Sequence, residues 1–162
     1  MDPNKILSSL SAIITRWSEL RGDRRAYPRW HDFSPDDFTE WFGWVCLYEI
    51  EETAPMRLKA RLVGSNIVEM DGTDITEKYL NDLFPNDKYP SVYELYSEAI
   101  ENMQPVLQMR DWKGRHNQQM VVAKLVLPLA DDFENPTHFA AIIYQSEAEK
   151  TSSGEKASPI PI

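Results

Sequence analysis

The sequence predicts an α+β domain: a five-stranded antiparallel sheet with short helices on one face and an amphipathic helix at its N-terminus. Three observations carry this. Two strand-like segments, Trp44–Ile50 and Arg57–Val63, precede a helically patterned stretch from Asn66 to Asn102, and three more strand-like segments follow it. Within each group the connections are short turns, too short for the dozen or more residues of a parallel crossover. Finally, Ile6, Leu10, Ile13, Ile14 and Trp17 recur at helical spacing, with Ser8, Ser9 and Ser11 flanking the stripe.

That stripe predicts a helix of about 16 residues. A basic, polar connector follows, Arg21 to Arg29, with Arg24, Arg25 and Pro28. It sets the helix apart as an appendage, so residues 1–29 are expected to form helix and connector, 30–147 the sheet domain, and 148–162 a disordered Ser/Gly/Pro-rich tail. Ser34-Pro35-Asp36-Asp37 combines a capping oxygen, a proline at the first helical position and acids at the positive dipole end, which starts a short helix through Phe42.

Trp44–Ile50 is aromatic and β-branched, and Arg57–Val63 alternates, with Leu58, Ala60 and Leu62 on one side and Arg57, Lys59 and Arg61 on the other. Glu51-Glu52-Thr53 is read as the turn between them, and Gly64 as the end of the second. In the insert, Asp71-Gly72 marks a turn, Thr76 is placed to cap Tyr79–Phe84, and Ser91-x-x-Glu94 matches a capping box opening a helix to Asn102. Val92, Leu95, Tyr96 and Ala99 form its inward stripe. The last strands are Val106–Trp112, Met120–Leu129 and Phe139–Tyr144, with turns at Lys113-Gly114 and Asp131–Pro136.

Met120–Leu129 and Phe139–Tyr144 are apolar on both faces, the mark of central strands covered twice. One cover is the helical insert; the other is the N-terminal helix, supplied by the same chain or by a partner. Pro128, with no amide to donate, belongs at a strand end or bulge.

Composition bounds the partners. Acidic side chains outnumber basic ones, 26 to 17, for a formal net charge of −9; this opposes nonspecific attraction to nucleic acid or an anionic membrane. No stretch approaches the roughly 20 apolar residues of a membrane span. Serines interrupt the first twenty residues, unlike the continuous apolar segment of a signal peptide. Cys46 is the sole cysteine, so neither an intrachain disulfide nor a thiolate metal cluster can form within the chain. A cytoplasmic domain with no nucleic-acid and no membrane partner is expected.

Five short stretches, in order, add a resemblance: Trp17-x-x-Leu20-Arg21; Pro28-Arg29-x-x-Asp32-Phe33-Ser34-Pro35; Arg61-x-Val63-Gly64-Ser65; Gly72-x-Asp74-Ile75-Thr76; and Leu127-Pro128-Leu129. Together with the element order, they make residues 13–146 similar to a family of stand-alone bacterial PAS-like proteins. After Asp74-Ile75-Thr76 the family pattern favours glycine, whereas this chain has Glu77-Lys78. The resemblance implies sensing or protein association through a PAS fold, commonly as a dimer packed with an N-terminal helix, with the signal leaving through a separate output protein.

Some PAS domains carry haem or flavin. Haem in such sensors usually takes a histidine on the longer helix, but His31, His116 and His138 all lie outside 67–102. Covalent flavin chemistry takes a cysteine on the helical side, whereas Cys46 falls in the first strand and reads as a buried structural thiol. Both observations argue against those cofactors and leave a noncovalent small molecule open. For catalysis, Asp36-Asp37, Glu51-Glu52 and Asp131-Asp132 are neighbours that point apart or lie in loops, and read as solvated carboxylates. No metal-type His-x-x-x-His spacing, phosphate-cradling glycine loop or nucleophile elbow is present. Metal and catalytic residues are therefore assigned to none.

A ligand pocket between sheet and helices is assigned to Leu47, Leu58, Leu62, Leu83, Tyr93, Tyr96, Met109 and Leu125, against the alternative that side chains fill that space. A homodimer is assigned to Ile6, Leu10, Ile13, Ile14 and Trp17, against the alternative that the stripe folds back on its own sheet. Arg21, Arg24 and Arg25 read as a solvated connector. The sequence thus predicts a noncatalytic sensory or interaction module, with a small enzyme using the same cavity as the alternative.

Overall fold

The computed structural model describes residues 2–23, 25–113 and 119–146. Helix α1 (Pro3–Arg21) leads, followed by 3-10 helices at Trp30–Asp32 and Pro35–Trp44. Strands β1 (Val45–Thr53) and β2 (Met56–Val63) come next, then α2 (Ser65–Asp71), α3 (Leu80–Leu83) and α4 (Pro90–Asn102). Strands β3 (Val106–Lys113), β4 (Gln119–Ala130) and β5 (Pro136–Gln145) complete the order. The five strands form one sheet in the order β2-β1-β5-β4-β3, antiparallel at every pairing. As their apolar composition requires, β4 and β5 are central.

Period-two geometry gives the sheet two faces. On one, Cys46, Tyr48, Leu58, Val126, Phe139 and Ile143 pack against α2–α4. On the other, Leu125, Leu127, Leu129, Ala140 and Ile142 pack against Ile6, Leu10, Ile13 and Trp17 of α1.

This corrects two expectations. The helix is no appendage, and the stripe assigned to a dimer contact is buried in its own chain: Ile6, Leu10 and Trp17 are 0% exposed. Ile14 is partly buried at its margin. The cause is the second apolar sheet face, which must be covered before any partner arrives. Asp2 caps α1 by accepting from the Asn4 amide, and the Trp17 indole donates to the Pro128 carbonyl at 2.8 Å. Pro128 is tolerated because β3 stops pairing with β4 at Val126, two residues earlier.

The connector is also held. Phe133, in the β4–β5 turn at φ 71°, accepts the Ala26 and Tyr27 amides and lies under the guanidinium groups of Arg25 and Arg29, at 3.7 and 4.9 Å. Arg21 lies over Trp17. These basic residues grip aromatic rings rather than standing free; Arg24 lies outside the described residues, as do the tail from 147 and most of the turn after Lys113.

Local expectations fared unevenly. Ser34 caps as expected, and the Asp37 carboxylate in turn accepts the Ser34 amide, but the helix they open is 3-10 and runs on to Trp44. Glu51–Thr53 continue β1, and the chain turns instead at Ala54-Pro55. The Ser91 capping box does not form: Pro90 takes the first helical turn, Tyr89 is the N-cap, and no side chain caps it. Thr76 bonds Asp74 rather than capping α3. Glu77 adopts φ 66°, the left-handed conformation that explains why glycine suits this position; here Arg61 holds its carboxylate at 2.7 Å.

Candidate functional site

The structure does not gather the eight predicted pocket residues. Leu58, Leu83, Tyr93 and Tyr96 lie on the helical side. Leu47, Met109 and Leu125 lie on the opposite face, with α1. Leu62 is 49% exposed. A bulge explains the last: Leu47 pairs with Leu62 but Tyr48 pairs with Ala60, so Arg61 is the extra residue and Leu62 turns to the face opposite Leu58. Tyr93 is committed elsewhere, its hydroxyl donating to the Phe84 carbonyl at 2.5 Å.

At the centre of the helical side, aromatic rings fill the space. Tyr96 of α4 meets Tyr48 of β1 edge-on at 5.9 Å and Phe139 of β5 at 5.0 Å, and all three are 0% exposed. Pattern reading could not separate pocket from filled core; here the core is filled. Yet it is not wholly apolar. The Tyr48 and Tyr96 hydroxyl oxygens are buried without a well-formed hydrogen bond; Tyr48 lies within reach of weak contacts to the Cys46 thiol and to the Tyr96 hydroxyl.

Burial holds both phenols neutral, well above their ordinary range, and pushes the thiol up to about 11. Cys46 is therefore the opposite of a reactive thiolate, in keeping with a structural role. Asp71, at the end of α2, has a buried carboxylate oxygen with no partner, and burial raises it to about 6.

Beside this cluster lies the group the sequence reading passed over. Lys124 sits mid-β4, between Ala123 and Leu125, and its side chain points to the helical side. It is 7% exposed. Its Nζ donates to the Val92 carbonyl at 3.2 Å and lies 4.7 Å from the Tyr96 ring. No ion pair to it forms among the described residues. Burial, then the Arg110 charge, lower its pKa to about 7. Its signal was present in the sequence: one cation inside an apolar run on a strand buried on both faces.

Lys124 also lines a groove of about 300 Å³ between α4 and strands β3–β5. Val92, Val122 and Ile143 make its apolar floor; Glu94, Glu98 and Arg110 stand at its exposed rim. The groove thus combines a buried amine and an apolar floor with a largely polar rim, to which Ser91 and Gln108 also contribute.

The histidines take another role. His31 and His138 stack near Trp30, with ring centroids at 3.7 and 5.0 Å. The Trp30 indole donates to Asp131 at 2.6 Å, tying the connector to the β4–β5 turn; His116 lies outside the described residues. Among the described residues, no cluster of three metal-ligating side chains occurs, and no helix is long and apolar enough to cross a membrane.

A single antiparallel sheet of this strand order, with a helical insert laid over one face between its second and third strands, is an α+β architecture. The PAS domain family matches residues 6–144, and the chain belongs to that family. Among solved structures, the chain is similar to a light-oxygen-voltage domain studied with a flavin analogue, at 8% identity over 73% of this chain and 88% of that one, TM-score 0.49. It is also similar to the LOV protein of Rhodobacter sphaeroides, at 12% identity over 90% of this chain and 71% of that one, TM-score 0.41. No curated protein matches the chain. The family membership rests on the sequence match.

Proposed function

We propose that this PAS domain is a noncatalytic sensory module that takes a small molecule into the groove between α4 and β3–β5 and passes its occupancy to a separate output protein. The observation that carries the reading is Lys124: a buried ammonium with no counter-ion among the described residues is costly, and its side chain lines a groove of about 300 Å³. Binding there would bear on α4, whose Val92 and Tyr96 both touch the lysine. A homodimer, if it forms, must use another surface than the α1 stripe, which its own sheet occupies.

Amide NMR spectra recorded with and without metabolite mixtures test this. Binding should move the resonances of Val92, Val122 and Lys124 together, and the movement should disappear in Lys124→Met. Shifts confined to the α1 face would contradict the assignment. Turnover of any bound compound, lost in Tyr96→Phe without loss of fold, would favour the small-enzyme alternative instead.

A further inference from the structure

Lys124 is built less like an anion's partner than like an amine nucleophile. Its Nζ is withdrawn from water and held by one carbonyl, that of Val92, at 3.2 Å. The groove it lines offers that atom an apolar floor of Val92, Val122 and Ile143. An anionic ligand would have to pass Glu94 and Glu98 at the rim, and among the described residues the only cation lining the groove beside Lys124 is Arg110. The acidic pair thus disfavours carboxylates and phosphates, while the floor favours a short apolar chain. What a buried amine with no ion-pair partner among the described residues, lining such a groove, does best is attack an uncharged electrophile.

We propose that Lys124 forms a reversible imine with a small, uncharged, apolar aldehyde held in the groove between α4 and β3–β5. The inference rests on the reading of that groove as the ligand site and names the ligand class. In the step itself the Lys124 nitrogen lone pair attacks the carbonyl carbon, forming the C–N bond. Both nitrogen hydrogens then pass to the carbonyl oxygen, and the C–O bond breaks, leaving C=N and one water. No oxidant or reductant takes part.

The protonation state agrees. Lowered to about 7 by burial and by Arg110, the amine is about half free base at neutral pH, whereas an ordinary lysine holds roughly one free amine in a few thousand. The charged and titratable groups around it are Arg110, Glu94 and Glu98 at the rim, with the Tyr96 ring and the Cys46 thiol on the core side. The two core groups stay neutral, so none of the inward neighbours restores the proton.

Hexanal with sodium cyanoborohydride at pH 7, followed by peptide mass mapping of the full chain, tests the inference. The exposed Lys5, Lys78 and Lys88 serve as internal references. Lys124 should be alkylated at least about tenfold faster than these, given the difference in free amine, and glyoxylate, an anionic aldehyde, should show no such preference. Equal labelling of all four lysines, or preference for glyoxylate, would overturn the imine. Because mapping is done on the unsubstituted protein, the result does not depend on a variant folding. Amide shifts of Val92 and Val122 with hexanal in the absence of reductant separate the two readings. Shifts without Lys124 labelling refute the imine and keep the groove as a binding site; neither shifts nor labelling refutes both.

Discussion

Replacing Lys124 with methionine, similar in length and uncharged, should remove a pH dependence of stability that the wild type carries. The folded-state pKa, about 7, lies below the ordinary 10.5, so between those values the unfolded chain binds more protons and stability rises with pH. Below about 7 the full penalty is present; it fades as pH approaches 10.5. A depression of that size corresponds to a penalty on the order of 5 kcal/mol at low pH. Across pH 7 to 8.5 the wild type should gain on the order of 2 kcal/mol from this group. That window avoids Cys46, whose burial acts in the opposite sense at higher pH, and lies above Asp71 and His138. Urea unfolding of wild type and Lys124→Met at four pH values across the window gives the difference directly. The variant should be more stable at pH 7, with the gap closing as pH rises. Parallel curves would refute the claim that the ammonium is buried without compensation.

Other substitutions probe the rest of the structure. Trp17→Asp should unfold the domain rather than dissociate a dimer, because Trp17 is 0% exposed and hydrogen-bonded to Pro128; loss of about 4 kcal/mol or more is expected in chemical denaturation, and a stable monomer released from a dimer would contradict it. Tyr48→Phe removes a buried hydroxyl that makes no well-formed hydrogen bond and has only the Cys46 thiol and the Tyr96 hydroxyl as weak neighbours, so its unfolding free energy should change by under about 1 kcal/mol. Gly64→Ala should destabilise, as a Cβ there meets the backbone of Gly43 and Trp44; an unchanged thermal midpoint would show that the close approach of the 3-10 helix to α2 relaxes freely.

How far the fold was legible follows from where its information sits. Strand existence and most of the pairing sense were local: β4 and β5 carry apolar residues on both faces, and β1–β2, β3–β4 and β4–β5 are joined by short connections, whereas the β1–β5 pairing closes over the whole insert. Which face each residue takes was not. Leu58 and Leu62 share a parity in sequence, yet the bulge between Leu47 and Tyr48 separates them, and a bulge leaves no mark in residue type. The α1 stripe was legible as a stripe, while its partner depended on a sheet face assembled from β4 and β5, more than a hundred residues away. Capping failed at α4 because Pro90 and Ser91 offer competing starts one residue apart, and proline prevails at the first turn.

The candidate site was legible in its aromatic half and not in its polar half. Tyr96 stood out through its helical stripe, but as part of a filled core. Lys124 became meaningful only once β4 was known to be covered on both faces, since a lysine on an exposed strand face needs no explanation.

One titration reads the state of Lys124 directly. The chain's lysines, labelled at the ε-carbon, can be followed by NMR from pH 5 to 11, with Lys124→Arg assigning the resonance. One lysine should titrate near 7, and its signal should be absent from the variant. If every lysine titrates near its ordinary value, the Lys124 amine is solvated, and both the groove as a sensing site and the imine lose their foundation.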